Sequence, residues 1–301
     1  MDMKVLGVIG AGTMGSGIAQ VMAASGHDVV LNDVDNAAVE RGLRRIGASL
    51  QKLASTTEEI QLPPRCRSGL SSIKDDTSAK AHAVLERIRT ATRLEDLAAC
   101  DVVVEAATEN VQLKLKLFGE LDRIAKPGAI LASNTSSISL TRIAAATKRP
   151  AQVIGMHFFN PVPVMQLVEV IRALQTSGET YDAIRALTAK LGKTPVEVRN
   201  SPGFVANRIL LPMMNEAVFC LYERLASAED VDRVMKLGAA HPIGPLALAD
   251  LIGLDTCVAI LDVLYEGFKD PKYRACPLWR EKVEAGELGR KTGQGFFSYA
   301  R

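Results

Sequence analysis

Little in this chain of 301 residues points to a strongly charged partner. Lys and Arg number 36 and Asp and Glu 34, a formal net charge of +2. That balance gives no reason to expect nucleic acid or an anionic membrane surface. Cysteine is sparse and scattered, at Cys66, Cys100, Cys220, Cys257 and Cys276. No pair has the C-x-x-C spacing of a metal or redox site, and the odd count argues against a disulfide framework. Reduced thiols in an intracellular, cytoplasmic protein without a metal are expected instead. No apolar run is long enough to span a bilayer. The opening MDMKVLGVIGAG carries no charged-then-apolar leader, so no targeting segment is expected. Internal repeats and low-complexity tracts are absent too. Histidine occurs only four times. What the length allows is one large or two moderate domains with an ample core.

Val5 to Ile9 is a short apolar run ending in glycines, the pattern of a strand buried in a parallel sheet. Ser16 to Ser25 is small and apolar and reads as a helix ended by Gly26. Val29, Val30 and Leu31 give a second strand, closed by Asn32 and Asp33, and complete a βαβ unit. Val39, Leu43, Ile46, Leu50 and Leu53 then recur at helical steps, until Pro63 and Pro64 break the pattern. RCRSGLSSIKDDTS reads as a loop, and Ala81, Val84, Leu85 and Ile88 start another amphipathic helix. Residues from about 37 to 92 are therefore expected to project as a helical hairpin arm. DVVVEAA (101–107), AILAS, QVIGMHF, QLVEVI and TPVEVR supply further strands, with a helix over 113–124. From Ser201 the strand signals stop. Residues 204–225, 228–237 and 246–264 are apolar at helical spacing. The reading is an α/β domain over 1–200 followed by an all-α C-terminal domain over 201–301.

Gly10-x-Gly12-x-x-Gly15 falls directly after the first strand and directly before the first helix. In that position the first glycine permits a tight turn, the second admits a pyrophosphate and the third lets helix and strand pack closely. The helix N-terminus offers N–H groups and a positive dipole end to the phosphates. This is a Rossmann-type dinucleotide-binding arrangement, with Gly10, Gly12, Thr13, Met14 and Gly15 expected at the cofactor. Asp33 lies 18 residues beyond Gly15, at the end of the second strand. A carboxylate there accepts hydrogen bonds from a ribose and repels a 2′-phosphate, which favours NAD over NADP. A solvated turn acid would also fit that place, and the motif alone does not separate NAD from FAD or S-adenosylmethionine.

GMHFFNPVPVMQLVEV (155–170) sets His157 in a very apolar stretch. A satisfied core histidine and a catalytic base shielded from water both suit such a place. Glu169 stands in the otherwise apolar QLVEVI, where an unpaired carboxylate is costly.

With SNTSS (133–137), VVEAATEN, SPGFVANRIL, KLGAAHPIGPLALADLIGLD and LGRKTGQGFFSY, the sequence strongly resembles the L-3-hydroxyacyl-CoA dehydrogenase family over nearly its whole length. The pattern is most like the short-chain bacterial branch, the 3-hydroxybutyryl-CoA dehydrogenases. The resemblance implies reversible NAD-dependent oxidation of an (S)-3-hydroxyacyl-CoA to the 3-oxoacyl-CoA, with a His157–Glu169 pair as acid and base. It implies Ser136 and Asn207 at the reacting oxygens of the substrate, Asn134 at the nicotinamide ribose, and Glu109 and Lys114 lining the nicotinamide side. Without it, Glu109 and Lys114 would read as surface charges. Asn160 is expected near the nicotinamide or shaping the turn. RILLPMMNEAVFCLY is expected in the core and in a homodimer interface. Trp279 and the LGRKTGQGFF tail are expected to pack, His27 and His82 to lie at the surface, and His241 to sit in a structural turn. The stretch from about Ala54 to Thr92 departs from the family pattern, lacking its lysine-rich turn. Lys52, Arg65, Arg67 and Lys74 are the candidates for the CoA phosphates. A relative acting on a free hydroxy acid and a non-catalytic protein of the same fold are the alternatives.

Overall fold

The computed structural model describes residues 3–59 and 81–300, the side chains of 54–59 excepted. The chain divides into two compact units, Met1–Asn200 and Ser201–Arg301.

The first unit is built on an eight-stranded sheet. Its strands are β1 (Val5–Ile9), β2 (Asp28–Asn32), β3 (Ile88–Ala91), β4 (Val102–Glu105), β5 (Ile130–Ser133), β6 (Val153–Phe158), β7 (Leu167–Arg172) and β8 (Thr194–Arg199). They are ordered β3-β2-β1-β4-β5-β6-β7-β8. Every pairing is parallel except β6 with β7. Helices α1 (Thr13–Ala24), α2 (Asn36–Glu59), α3 (Val111–Ile124), α4 (Leu140–Ala145) and α5 (Gly178–Lys190) accompany them. Central strands such as β4 and β5 are buried at every residue, which is why their sequences are apolar without alternation. Leu6, Val8, Ile18, Leu31, Val104 and Ile154 are among the residues of the core. Chain order reverses between β1 and β4. In such a sheet the crevice at that point, beyond the carboxyl ends of the strands, is where ligands bind.

The second unit packs α6 (Ala206–Tyr222), α7 (Ala228–Gly238), α8 (Pro245–Ile252), α9 (Leu254–Phe268) and α10 (Pro277–Glu284). Leu211, Met214, Leu246, Leu261 and the fully buried Trp279 lie in its core. Trp279 meets Phe296 edge to face and donates its indole N–H to Asn215 at 3.0 Å. Buried Asp250 accepts the Phe296 and Phe297 N–H groups at 2.9 Å and the Tyr299 hydroxyl at 3.0 Å. The tail therefore packs rather than standing free.

The structure corrects three expectations. Ile88 does not belong to a helix. Helical structure in the arm ends at residue 86, and Ile88 opens β3 at the sheet edge. Residues 246–264 are not one helix but two, separated at Gly253, whose φ of 103° is open to glycine at little cost. The third concerns a side chain: His27 is buried, with ring Nδ1 2.9 Å from the Met3 carbonyl. Lys114, read as a surface charge only without the family resemblance, is buried as well. His82 is exposed and meets Glu86 at 3.1 Å. Cys100, Cys257 and Cys276 are buried free thiols. Burial pushes the Cys257 thiol up to about 12 and the Cys100 thiol up to about 11, so neither is a ready nucleophile. Pro63, Pro64, Arg65, Cys66, Arg67 and Lys74 lie outside the described residues.

Candidate active site

The turn after β1 shows what each of its glycines does. Gly10 has φ 94°, and a Cβ there would lie 2.7 Å from the Ala106 carbonyl oxygen. A Cβ on Gly15 would lie 1.7 Å from the Gly10 carbonyl oxygen, so only glycine lets α1 start this close to the strand. At Gly12 an added Cβ would meet nothing within 4 Å, because that face is open. Gly12 caps α1 without a side-chain hydrogen bond. The first N–H bonded back into the helix is that of Ser16, to Gly12 at 2.9 Å. The N–H groups of Thr13, Met14 and Gly15 precede it, as the unsatisfied donors of a helix start.

Gly10 and Gly12 share a cleft of about 460 Å³ with Asn32, Asp33, Ala106, Thr108 and Leu113. This is the crevice at the β1/β4 switch, and its size suits part of a dinucleotide. Asp33 is no freely solvated turn residue. One carboxylate oxygen accepts the Ala11 N–H at 2.7 Å and the other the Val34 N–H at 2.7 Å. The acid is thereby fixed beside the glycine turn, and each oxygen keeps acceptor capacity for a ribose hydroxyl. An open face at Gly12, a bare helix start and an immobilised acid together fit a dinucleotide without a 2′-phosphate.

His157 and Glu169 sit opposite each other in the β6–β7 register. Residues paired directly across antiparallel strands bring their side chains together on one face. His157 Nδ1 lies 2.8 Å from Glu169 Oε2. The histidine is 7% and the glutamate 2% exposed, so both are withdrawn from bulk water. The ring of Phe159 packs against the imidazole, with centroids 4.6 Å apart. Such a carboxylate fixes the ring tautomer and stabilises the cationic form.

A second buried network was not legible as such. Glu105, at the end of β4, is wholly buried. Its carboxylate accepts from Lys114 Nζ at 2.5 Å, from the Ala107 N–H at 2.7 Å and from the Ser133 hydroxyl at 2.7 Å. Lys114 also stands 3.3 Å from Glu109. Glu109 in turn holds the loop after β5. It accepts the Thr135 hydroxyl, the Ser136 and Ser137 N–H groups at 3.1 Å each, and the Ser137 hydroxyl at 2.8 Å. Burial opposes ionisation of Glu109. The Lys114 ammonium and the hydroxyl and N–H donors outweigh it and hold its carboxyl below the usual range. An acid ending an all-buried strand, nine residues before a lysine, was the available signal for Glu105.

The remaining candidates lie in four places. Asn134 accepts the Phe158 N–H at 2.9 Å, which ties the serine loop to the end of β6 next to His157. Ser136 is half-buried in that loop. Asn160 is exposed in the turn after β6, joined to Pro161 by a cis peptide. Lys52 lies exposed on α2. Asn207 belongs to the second unit, in the first turn of α6. No cluster able to hold a metal ion occurs among the described residues, and no helix among them is long and apolar enough to cross a membrane.

The sheet order, the glycine turn and the acid after β2 define a Rossmann-type dinucleotide-binding protein. The chain belongs to the 3-hydroxyacyl-CoA dehydrogenase family. The family's NAD binding domain matches residues 5–201 and its C-terminal domain residues 203–299. A probable 3-hydroxybutyryl-CoA dehydrogenase of Bacillus subtilis is 51% identical over 299 residues, covering 99% of this chain and 98% of that one. One from Deinococcus radiodurans is 53% identical over 293 residues, covering 97% and 99%. The crystal structure of the (S)-3-hydroxybutyryl-CoA dehydrogenase of Ralstonia eutropha is similar over 100% of both chains, with a TM-score of 0.90 and 51% identity. NAD is the cofactor of this family's first domain.

Proposed function

We propose that the protein catalyses reversible NAD-dependent oxidation of (S)-3-hydroxyacyl-CoA to 3-oxoacyl-CoA, on the short-chain pair 3-hydroxybutyryl-CoA and acetoacetyl-CoA. The observation that carries the reading is the buried His157–Glu169 pair in the same unit as the glycine cleft. The names of the relatives support the substrate.

With Nδ1 bonded to Glu169, Nε2 is the ring nitrogen for proton exchange with substrate. In oxidation it accepts the C3 hydroxyl proton, and Glu169 stabilises the imidazolium that results. NAD, which the glycine turn and Asp33 would hold, would supply the hydride acceptor for C3. In reduction the imidazolium returns the proton to the C3 oxygen. Placed acid–base help of this kind is worth about 10²–10⁴ in rate. Ser136 hydrogen-bonds the C3 oxygen, and Asn207 donates to the thioester carbonyl, both favouring charge developing on oxygen. Gly10, Gly12, Thr13, Met14 and Gly15 hold the pyrophosphate, and Asp33 holds the adenosine ribose. Asn134 meets the nicotinamide ribose. Glu109 orders the serine loop at the nicotinamide side. Lys114 serves that end through Glu105 and Glu109, being itself buried. Asn160 shapes the turn between the catalytic strands, and Lys52 contacts the CoA. The helical unit carries Asn207 and forms a homodimer.

Loss of NADH absorbance on adding acetoacetyl-CoA tests the reading. Turnover by the wild type with His157→Ala slowed at least about 10²-fold supports it. No turnover, or an equally fast variant, sinks it. Preference for free acetoacetate over acetoacetyl-CoA would replace the acyl-CoA reading with one on a free acid.

A further inference from the structure

Lys193 lies where α5 gives way to β8, only 8% exposed. Its Nζ donates to the carbonyls of Val162 at 2.7 Å, Met165 at 2.8 Å and Pro163 at 3.3 Å. Burial lowers its pKa from the ordinary lysine value, with no neighbouring charge to offset the effect. A buried ammonium without a carboxylate is expensive. Here its three N–H donors are matched by three carbonyls, all from one turn.

That turn, residues 160–166, is the link between β6 and β7. His157 stands three residues before it and Glu169 three after it. Its own backbone bonds run from the Val164 and Met165 N–H groups to the Pro161 carbonyl at 3.0 Å, and its prolines donate none. Lys193 therefore supplies donors that the turn lacks. The backbone next to it holds the same segment, since the Thr194 N–H donates to the Gln166 carbonyl at 2.8 Å and β8 runs in register with β7. On its other side the turn touches the cofactor helix. A Cβ on Gly17 of α1 would lie 2.8 Å from Val162 Cβ.

We propose that Lys193 is a positioning residue, whose ammonium pins the 160–166 turn so that His157 and Glu169 keep their hydrogen bond. The inference rests on the reading of His157 and Glu169 as the acid–base pair. Lys193→Met keeps the length of the side chain and leaves the carbonyls unpaired. In acetoacetyl-CoA reduction it is expected to lower kcat by about 10–10²-fold, the scale for displacing a catalytic group by about an ångström. The dissociation constant for NADH should stay near that of the wild type, since the glycine turn is intact. Lys193→Gln, which keeps two N–H donors, should recover part of the loss. In a Glu169→Gln background the Lys193→Met loss should nearly vanish, because both changes act through one pair.

Proton NMR gives a second readout. The His157 Nδ1 proton, bonded to Glu169, should give a downfield imidazole signal that Lys193→Met removes. A lowered melting temperature with unchanged kcat and an unchanged signal would overturn the proposal, as would full additivity with Glu169→Gln. If Lys193→Met does not fold, Lys193→Gln takes its place in each comparison. If the wild type does not turn over acetoacetyl-CoA, the function reading falls. The NMR signal then decides alone, its loss supporting the pin and its survival overturning it.

Discussion

Two buried acid–base pairs are anchored on strands of the same sheet and are bonded differently. His157–Glu169 joins β6 to β7, and Lys114–Glu105 joins α3 to β4. Both are almost fully withdrawn from water. The difference lies in the base. An imidazole has a second ring nitrogen beyond the one at the carboxylate, while the Lys114 ammonium meets Glu105, the Ala107 carbonyl and Glu109. The first pair is the one proposed above to exchange a proton with a substrate. The second is a fixed electrostatic joint that holds Glu109 and, through it, the loop bearing Ser136. Burial alone does not separate the two pairs; what each buried base bonds does.

The largest expected effect separates the pairs at once. His157→Ala should lower kcat by about 10²–10⁴-fold, read by turnover, alongside some loss of melting temperature because buried Glu169 loses its partner. Lys114→Met should do the reverse in emphasis. It leaves Glu105 buried without its counter-charge and should cost about 3–5 kcal/mol of stability, measured by denaturant unfolding. If Lys114→Met is as stable as wild type, the fixed-joint account fails. Glu169→Gln keeps the shape but weakens stabilisation of the imidazolium, so kcat should fall by about 10²-fold with the KM for NADH little changed.

Acid should act through Glu109. Its folded pKa is depressed from the ordinary 4.5, so the stability it contributes is complete above 4.5 and fades as pH falls through the lowered value. Glu109→Gln should therefore flatten the acid limb of a stability-against-pH curve, and an unchanged curve would remove that role. The smallest effect is expected at Asp33. Asp33→Ala should reduce the preference for NADH over NADPH by about tenfold or more, as loss of a charged hydrogen bond implies. Unchanged selectivity in competing cofactor assays would count against it.

How much of this was legible depended on how local each signal is. The glycine turn and Asp33 are written within one βαβ unit, so spacing alone located them. His157 and Glu169 fall in one hairpin, and the turn residues between them announce the return. β3 was missed because IRTA is short and has two exposed central residues, and it follows directly on a helical pattern. Its strand state comes from pairing with β2, which no local periodicity encodes. Glu105, with only a faint signal, and Lys193, with none, were missed for the opposite reason. One is a lone acid at a strand end and the other a lone lysine after a glycine, and only the packed fold shows what each meets. His27, read as a surface residue, is buried by its contact with Met3, close to the start of the chain.

The antiparallel step between β6 and β7 has a kinetic side. Parallel neighbours need a crossover before they meet, whereas His157 and Glu169 are separated by only twelve residues. The entropy of closing a loop grows with its length, by about 0.6 kcal/mol per doubling. The His157–Glu169 pair therefore closes through a shorter loop than Glu105 and Ser133, which are 28 residues apart. It is carried on one continuous piece of chain, so it can form early in folding and can be altered or transplanted as a single segment.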